Sequence, residues 1–121
     1  MRLWHQDLIN RLPRQQLLGQ HRECCALRGN GWGKPHATVN YVFKHDYSKL
    51  FEYHLLIMNE MANRGYNVDV KWLNYNYRGK VCEILSENKM FNIPTFKVYN
   101  EHNDQYLKEC LDNLRLKGIT I

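Results

Sequence analysis

The residues best suited to chemistry are the adjacent pair Arg22 and Glu23, in the segment LPRQQLLGQHRECCALRG at 12–29. The segment reads as a helix. At about 100° per residue, Leu17, Leu18, His21, Cys24, Cys25 and Arg28 fall on one side, and their apolar members form a core stripe. Gln15, Gly19, Arg22, Glu23 and Ala26 fall roughly opposite. Glyrich spacing there is unusual: Gly19 precedes Glu23 by four residues and Ala26 follows it by three, so little side chain crowds the carboxylate. A helix-interior glycine costs about 1 kcal/mol relative to alanine. Close approach of a substrate to Glu23 would account for that cost. A solvated face with a tolerated glycine is the simpler account on the pattern alone.

A carboxylate needs a partner to do work. The first residues, MRLWHQDLINRL, contain Leu3, Trp4, Leu8, Ile9 and Leu12, which should tie the terminus into a core. A docked terminus places its α-amine at a defined point. With a pKa of about 7.7–8.0, about a tenth of such amines are neutral and nucleophilic at pH 7, whereas lysine near 10.4 is almost fully protonated. An amine can form a Schiff base with a sugar carbon, and a nearby carboxylate can move the protons.

Other chemistries lack their residues. There is no Ser/His/Asp arrangement, no HExxH and no nucleotide-binding glycine fingerprint. GNGWGK at 29–34 lacks P-loop spacing. His21, Cys24 and Cys25 suggest a thiol nucleophile or a metal site, but their place on the core face reads as buried thiols. The cysteines are Cys24, Cys25, Cys82 and Cys110, with no CxxC pair, which argues for reduced thiols rather than disulfides or a zinc knuckle.

Three long helices should position these groups. The first spans Pro13–Gly29, with proline suited to the first turn and Gly29 as its stop. The second spans Ser48–Arg64, with Ser48 as N-cap and Gly65 as stop. Its broad stripe of Leu50, Phe51, His54, Leu55, Ile57, Met58, Met61 and Ala62 should make it the most buried, with His54 a hydrogen-bonded core histidine. The third spans Asn103–Lys117, with Leu107, Cys110, Leu111 and Leu114 at i, i+3, i+4 and i+7. A short helical turn fits Gln6–Arg11. Residues 66–99 are the least regular, with extended character in NVDVKW and IPTFKVY. The expected fold class is all-α: one compact three-helix domain over residues 1–121, with long loops and little or no sheet.

The chain has 121 residues, with 17 Lys and Arg against 12 Asp and Glu, a net charge of +5. That balance suits a polyanionic partner. Between the first two helices, Arg28, Lys34, His36, Lys44 and His45 alternate with Trp32, Tyr41 and Phe43. Aromatics among cations suit contact with nucleic acid, and a packed loop anchored by its aromatics suits the same pattern. No run of 18 apolar residues is present, and residues 1–10 do not read as a secretory signal. A cytoplasmic protein is expected.

The stretches MRL at 1–3, LPRQQLLGQHRE at 12–23 and NRGYNVD at 63–69 resemble the pyrimidine-dimer DNA glycosylase family (endonuclease V of phage type), in its bacterial branch. The likeness is good over about residues 1–70, moderate over the last helix and poor over 71–98. It implies a compact three-helix fold and a DNA-repair glycosylase with abasic-site lyase activity. The partner is then double-stranded DNA carrying damaged bases or abasic sites, with no metal, no organic cofactor and no membrane. In the phage member the nucleophile is the α-amine of a threonine exposed by methionine removal. Here Arg2 follows Met1, a context in which methionine is retained, and alignment through Arg2 and Leu3 puts Met1 in the nucleophile position. The resemblance makes Glu23 the proton-transfer carboxylate. Arg2, Gln15, Arg22 and Lys34 become the DNA-binding residues. A non-catalytic basic nucleic-acid-binding module on the same scaffold is the alternative, and a protein-interaction domain with a merely solubilising basic surface is a third reading.

Overall fold

The computed structural model describes residues 3–29, 47–80, 83–85 and 90–121. Three α-helices carry the fold: α1, Arg14–Arg28; α2, Tyr47–Asn63; and α3, Asp104–Leu116. No strand occurs among the described residues, so the expected mainly α class holds.

Each helix end has a local cause. Pro13 stands just outside α1, its φ already near the helical value. Asn103 caps α3 by accepting the Tyr106 N–H at 2.9 Å. Gly65 and Gly118 end α2 and α3 at φ 81° and 80°. After α2, Tyr66 N–H bonds Met61 C=O and Gly65 N–H bonds Ala62 C=O; after α3, Ile119 and Gly118 repeat the pattern on Leu114 and Arg115. Glycine is favoured at both because other residues reach that left-handed backbone only with strain.

One expected boundary and one expected conformation differ. Ser48 is not the N-cap of the second helix, because Tyr47 is already helical. Gly29 does stop α1, as its C-cap, but not in the left-handed conformation: its φ is −101°. It is small for another reason. A Cβ there would lie 2.9 Å from the Arg78 carbonyl oxygen, which no side-chain-bearing residue could accommodate without a shift. A third difference lies in NVDVKW. It is not extended throughout, since Val70–Leu73 form a 3-10 turn capped by Asp69, which accepts the Lys71 N–H.

α1 packs along α2. The main core joins Leu3, Leu8 and Leu12 to Leu17, Cys24 and Leu27 of α1, to Leu50, Tyr53, Ile57 and Met61 of α2, and to Tyr106, Cys110 and Leu114 of α3. On another side of α2, Phe51, Leu55 and Met58 pack with Tyr75. α2 therefore has apolar neighbours on two sides, as its wide stripe demanded. Complete burial of one such aliphatic side chain contributes about 1.5–3 kcal/mol.

Arg28 departs most from its sequence reading. Counted among the cations of its region, though on the side of the core stripe, it is completely buried. All five guanidinium N–H groups are used. Nε donates to Tyr47 Oη at 2.9 Å, Nη1 to His54 Nδ1 at 2.9 Å and to Trp72 O at 2.7 Å, and Nη2 to Asn74 O at 2.8 Å and Tyr77 O at 3.1 Å. Phe51 and Trp72 lie 4.8 and 5.0 Å from the guanidinium carbon by their ring centroids. Arg78 closes the junction in the other direction, donating from Nε to Arg28 O at 2.8 Å. The turn at 72–78 is thus bolted to the C-terminal end of α1 by two arginines.

Candidate nucleic-acid interface and catalytic site

Glu23 lies partly buried on α1, with Arg22 and Gln15 exposed beside it. The space expected over Gly19 is partly taken. A Cβ on Gly19 would have one neighbour within 4 Å, Arg22 Nη2 at 3.8 Å. The Arg22 side chain thus runs back across the glycine, which leaves room for it rather than for a substrate. Met1, Arg2 and Lys34 lie outside the described residues, as do the aromatics and cations of 30–46 and Cys82.

The described start of the chain is held beside this helix. Leu3 is fully buried. Trp4 N–H donates to Gln20 Oε1 at 2.8 Å. Gln20 stands one turn before Glu23 on neighbouring azimuths of α1, so the anchored terminus and the carboxylate share one flank of the helix. Gln20 is an anchor of the chain start that the sequence reading missed. Its signal was available: it falls about 20° from Leu27 on the helical wheel, a polar residue within the core stripe.

The third chemical cluster is His21, Cys25 and His54, whose donor atoms lie within 4.8 Å of one another. His21 Nδ1 and His54 Nε2 are 2.8 Å apart, and Cys25 Sγ lies 3.8 and 3.9 Å from the two Nε2 atoms. Zinc takes this kind of donor set, but 2.8 Å between the two nitrogens is a hydrogen-bond distance, and the surroundings oppose a metal too. Arg28 donates to His54 Nδ1, which assigns the proton of neutral His54 to Nε2. A metal there would need the Nε2 lone pair and a proton on Nδ1, facing the arginine N–H. Burial also pushes the Cys25 thiol up to about 11, away from the thiolate a metal requires. The geometry fits a hydrogen-bonded chain, Arg28 to His54 to His21, better than a metal centre. His54 is the hydrogen-bonded core histidine expected. Cys24 is fully buried and its thiol is pushed up by burial, while Cys25 and His21 are only half-buried.

This chain carries a pH consequence. Burial first, then the charges of Arg28 and His21, holds His54 well below its ordinary 6.5. Burial, then Arg22 and Arg28, lowers His21 as well, against a smaller opposing effect of Asp69. Below pH 6.5 the unfolded chain takes up protons that the folded one refuses. Stability is therefore complete above about 6.5 and falls as the solution is acidified, by about 1.4 kcal/mol per pH unit from His54 alone. Urea unfolding between pH 7.5 and 5 should show this slope, and His54→Gln should flatten it while lowering stability at pH 7.5. An unchanged slope in His54→Gln would mean that another group supplies it.

A family model described as pyrimidine dimer DNA glycosylase matches residues 1–74, more than half of the chain. The chain belongs to the pyrimidine dimer DNA glycosylase family. Comparison with curated proteins and with solved structures gave no match. The matched segment takes in the anchored start, all of α1 and α2, and the 3-10 turn that receives Arg28, so it includes every described group just considered. The glycosylase has a function of the pyrimidine-dimer DNA repair kind, with DNA carrying such dimers as the substrate class of the family. No helix among its described residues is long and apolar enough to cross a membrane.

Proposed function

We propose that the chain is one domain that acts as a monomer, excising damaged pyrimidines and cleaving the resulting abasic site through a Schiff base on its own N-terminal amine. The observation that carries this reading is the anchoring of Leu3 and Trp4 on the Glu23 side of α1. Met1 is three residues from Trp4, so covalent geometry limits its amine to about 11 Å from the Trp4 amide. Glu23 is about 4.5 Å along the helix axis from Gln20, which receives that amide. Amine and carboxylate can therefore meet at one sugar.

The chemistry needs only groups of the chain and water. The neutral amine attacks C1′, and the glycosidic bond breaks with its electrons leaving on the base. The amine loses a proton, and Glu23 delivers one to O4′ as the C1′–O4′ bond opens, leaving an iminium. Glu23, again a carboxylate, then removes a proton from C2′. The electron pair expels the 3′ phosphate by β-elimination, and water hydrolyses the imine to release the enzyme. Arg2, Arg22 and Lys34 are assigned to phosphates or the lesion, and Gln15 to the duplex. Opening the damaged pair costs less than opening an intact one, which brings the sugar within reach. The basic balance of the chain fits this partner and a cytoplasmic, nucleoid-associated location.

Borohydride reduction during incubation with abasic-site DNA tests the reading. A covalent complex is expected, with the deoxyribose mapped by mass spectrometry to the Met1 peptide. A complex on Lys71 or Lys80, or DNA binding with no trapping at all, would contradict it, and the latter would favour a binding module.

A further inference from the structure

The backbone next to the terminus is gripped by three side chains from three helices. Gln20 of α1 accepts the Trp4 N–H at 2.8 Å. Tyr53 of α2 donates its hydroxyl to Trp4 O at 2.6 Å and also reaches Gln20 Oε1 at 3.3 Å. Tyr106 of α3 donates its hydroxyl to Leu3 O. Gln20, Tyr53 and Tyr106 are themselves buried, at 3%, 0% and 8% exposure. Leu3 between them is closed off completely.

That arrangement is costly as mere core. Each phenol and amide brings a polar group out of water that an apolar side chain would not. The expense is concentrated on two consecutive residues of the chain, and it fixes both carbonyls and one N–H there. Such a fixture over-determines the path of the backbone, because directional hydrogen bonds fix the peptide groups that packing of Leu3 alone would leave unspecified.

We propose that Gln20, Tyr53 and Tyr106 are positioning residues that hold the N-terminal amine in line for attack beside Glu23. The inference rests on the Schiff-base reading and adds the device that makes the amine effective. It also gives α3, which lies beyond the family-matched residues 1–74, a part in the reaction. The clamp works by geometry. An amine held within reach of C1′ reacts as an intramolecular group, and displacement by about 1 Å can cost about a hundredfold in rate. Burial raises the Tyr53 phenol well above its usual range, so it remains a donor throughout the pH range of activity.

The test is single-turnover imine formation on abasic-site DNA, read by borohydride trapping at saturating enzyme. Tyr53→Phe with Tyr106→Phe keeps both rings and removes only the two hydroxyls. The rate constant is expected to fall about tenfold to a hundredfold, with DNA affinity within twofold of the parent. Loss of folded protein alone would lower the amplitude and leave the rate constant of the surviving molecules unchanged, which would overturn the proposal. Should the double variant fail to fold, Tyr106→Phe alone decides, together with hydrogen exchange at the Trp4 amide, which must speed up as the rate falls. Parent protein acetylated at Met1 is run alongside. If acetylation stops trapping while the double variant traps at the parent rate, the clamp is wrong and the amine reading stands. If the acetylated protein still traps, the amine reading itself has failed and the clamp falls with it.

Discussion

Acetylation of Met1 is expected to abolish strand cleavage at abasic sites, by at least about a thousandfold, while DNA binding changes by less than twofold. The modification removes the basic lone pair and one positive charge, and adds only two carbons. One cation beside those of 17 Lys and Arg residues is a small part of the attraction to phosphate. An uncleaved tag ahead of Met1 should act in the same way, because it carries the free amine away from Glu23. The same tag placed after Ile121 should leave cleavage intact. The pH profile is expected to rise through the ordinary titration range of an α-amine, about 7.7–8.0, as the neutral form accumulates. Full cleavage by the acetylated protein would assign the nucleophile to another group.

Glu23→Gln is expected to fold as the parent does and to lose cleavage by about two to four orders of magnitude. Glutamine keeps the size and hydrogen-bonding reach of the side chain at this partly buried position but cannot accept and return a proton. Thermal unfolding within about 0.5 kcal/mol of the parent would show that the carboxylate is not serving the fold. Some borohydride-trapped complex should persist on abasic-site DNA, because the amine can attack the ring-opened aldehyde form of that sugar without the proton that Glu23 delivers to O4′. Cleavage at the parent rate would remove Glu23 from the mechanism.

These two experiments also separate what was readable in the residues from what was not. The helical wheel of 13–29 placed Arg22, Glu23 and Gln15 on an open face because helical side-chain directions follow from local geometry alone. Glycine stops after the second and third helices were legible for a similar reason. Gly65 and Gly118 meet a local backbone requirement, and the hydrogen bonds that define it close within six residues. Gly29 looked the same in sequence and was not. Its constraint is the carbonyl of Arg78, 49 residues away in the chain, which no local pattern encodes. The partners of Arg28 were hidden on the same ground. A cation in the last turn of a helix is what the helix dipole favours, so the local rule was satisfied whether the side chain faced water or core.

Sequence alone determined the parts that depend on periodicity, capping and charge: three amphipathic helices, a docked start, a carboxylate beside an arginine away from the core stripe, a basic chain suited to a polyanion, and the family-bearing stretches. Their information lies within a few turns of helix, where 3.6-residue periodicity and backbone preference operate. Tertiary structure decided which polar residues are drawn into the interior and what they hold there. Gln20, Tyr53 and Tyr106 are 33 to 86 residues apart, yet they meet on Leu3 and Trp4. Arg28 finds its acceptors at 47, 54, 72, 74 and 77. A buried polar group must find partners wherever the packed chain offers them, and such partners are set by the meeting of helices rather than by neighbours in sequence.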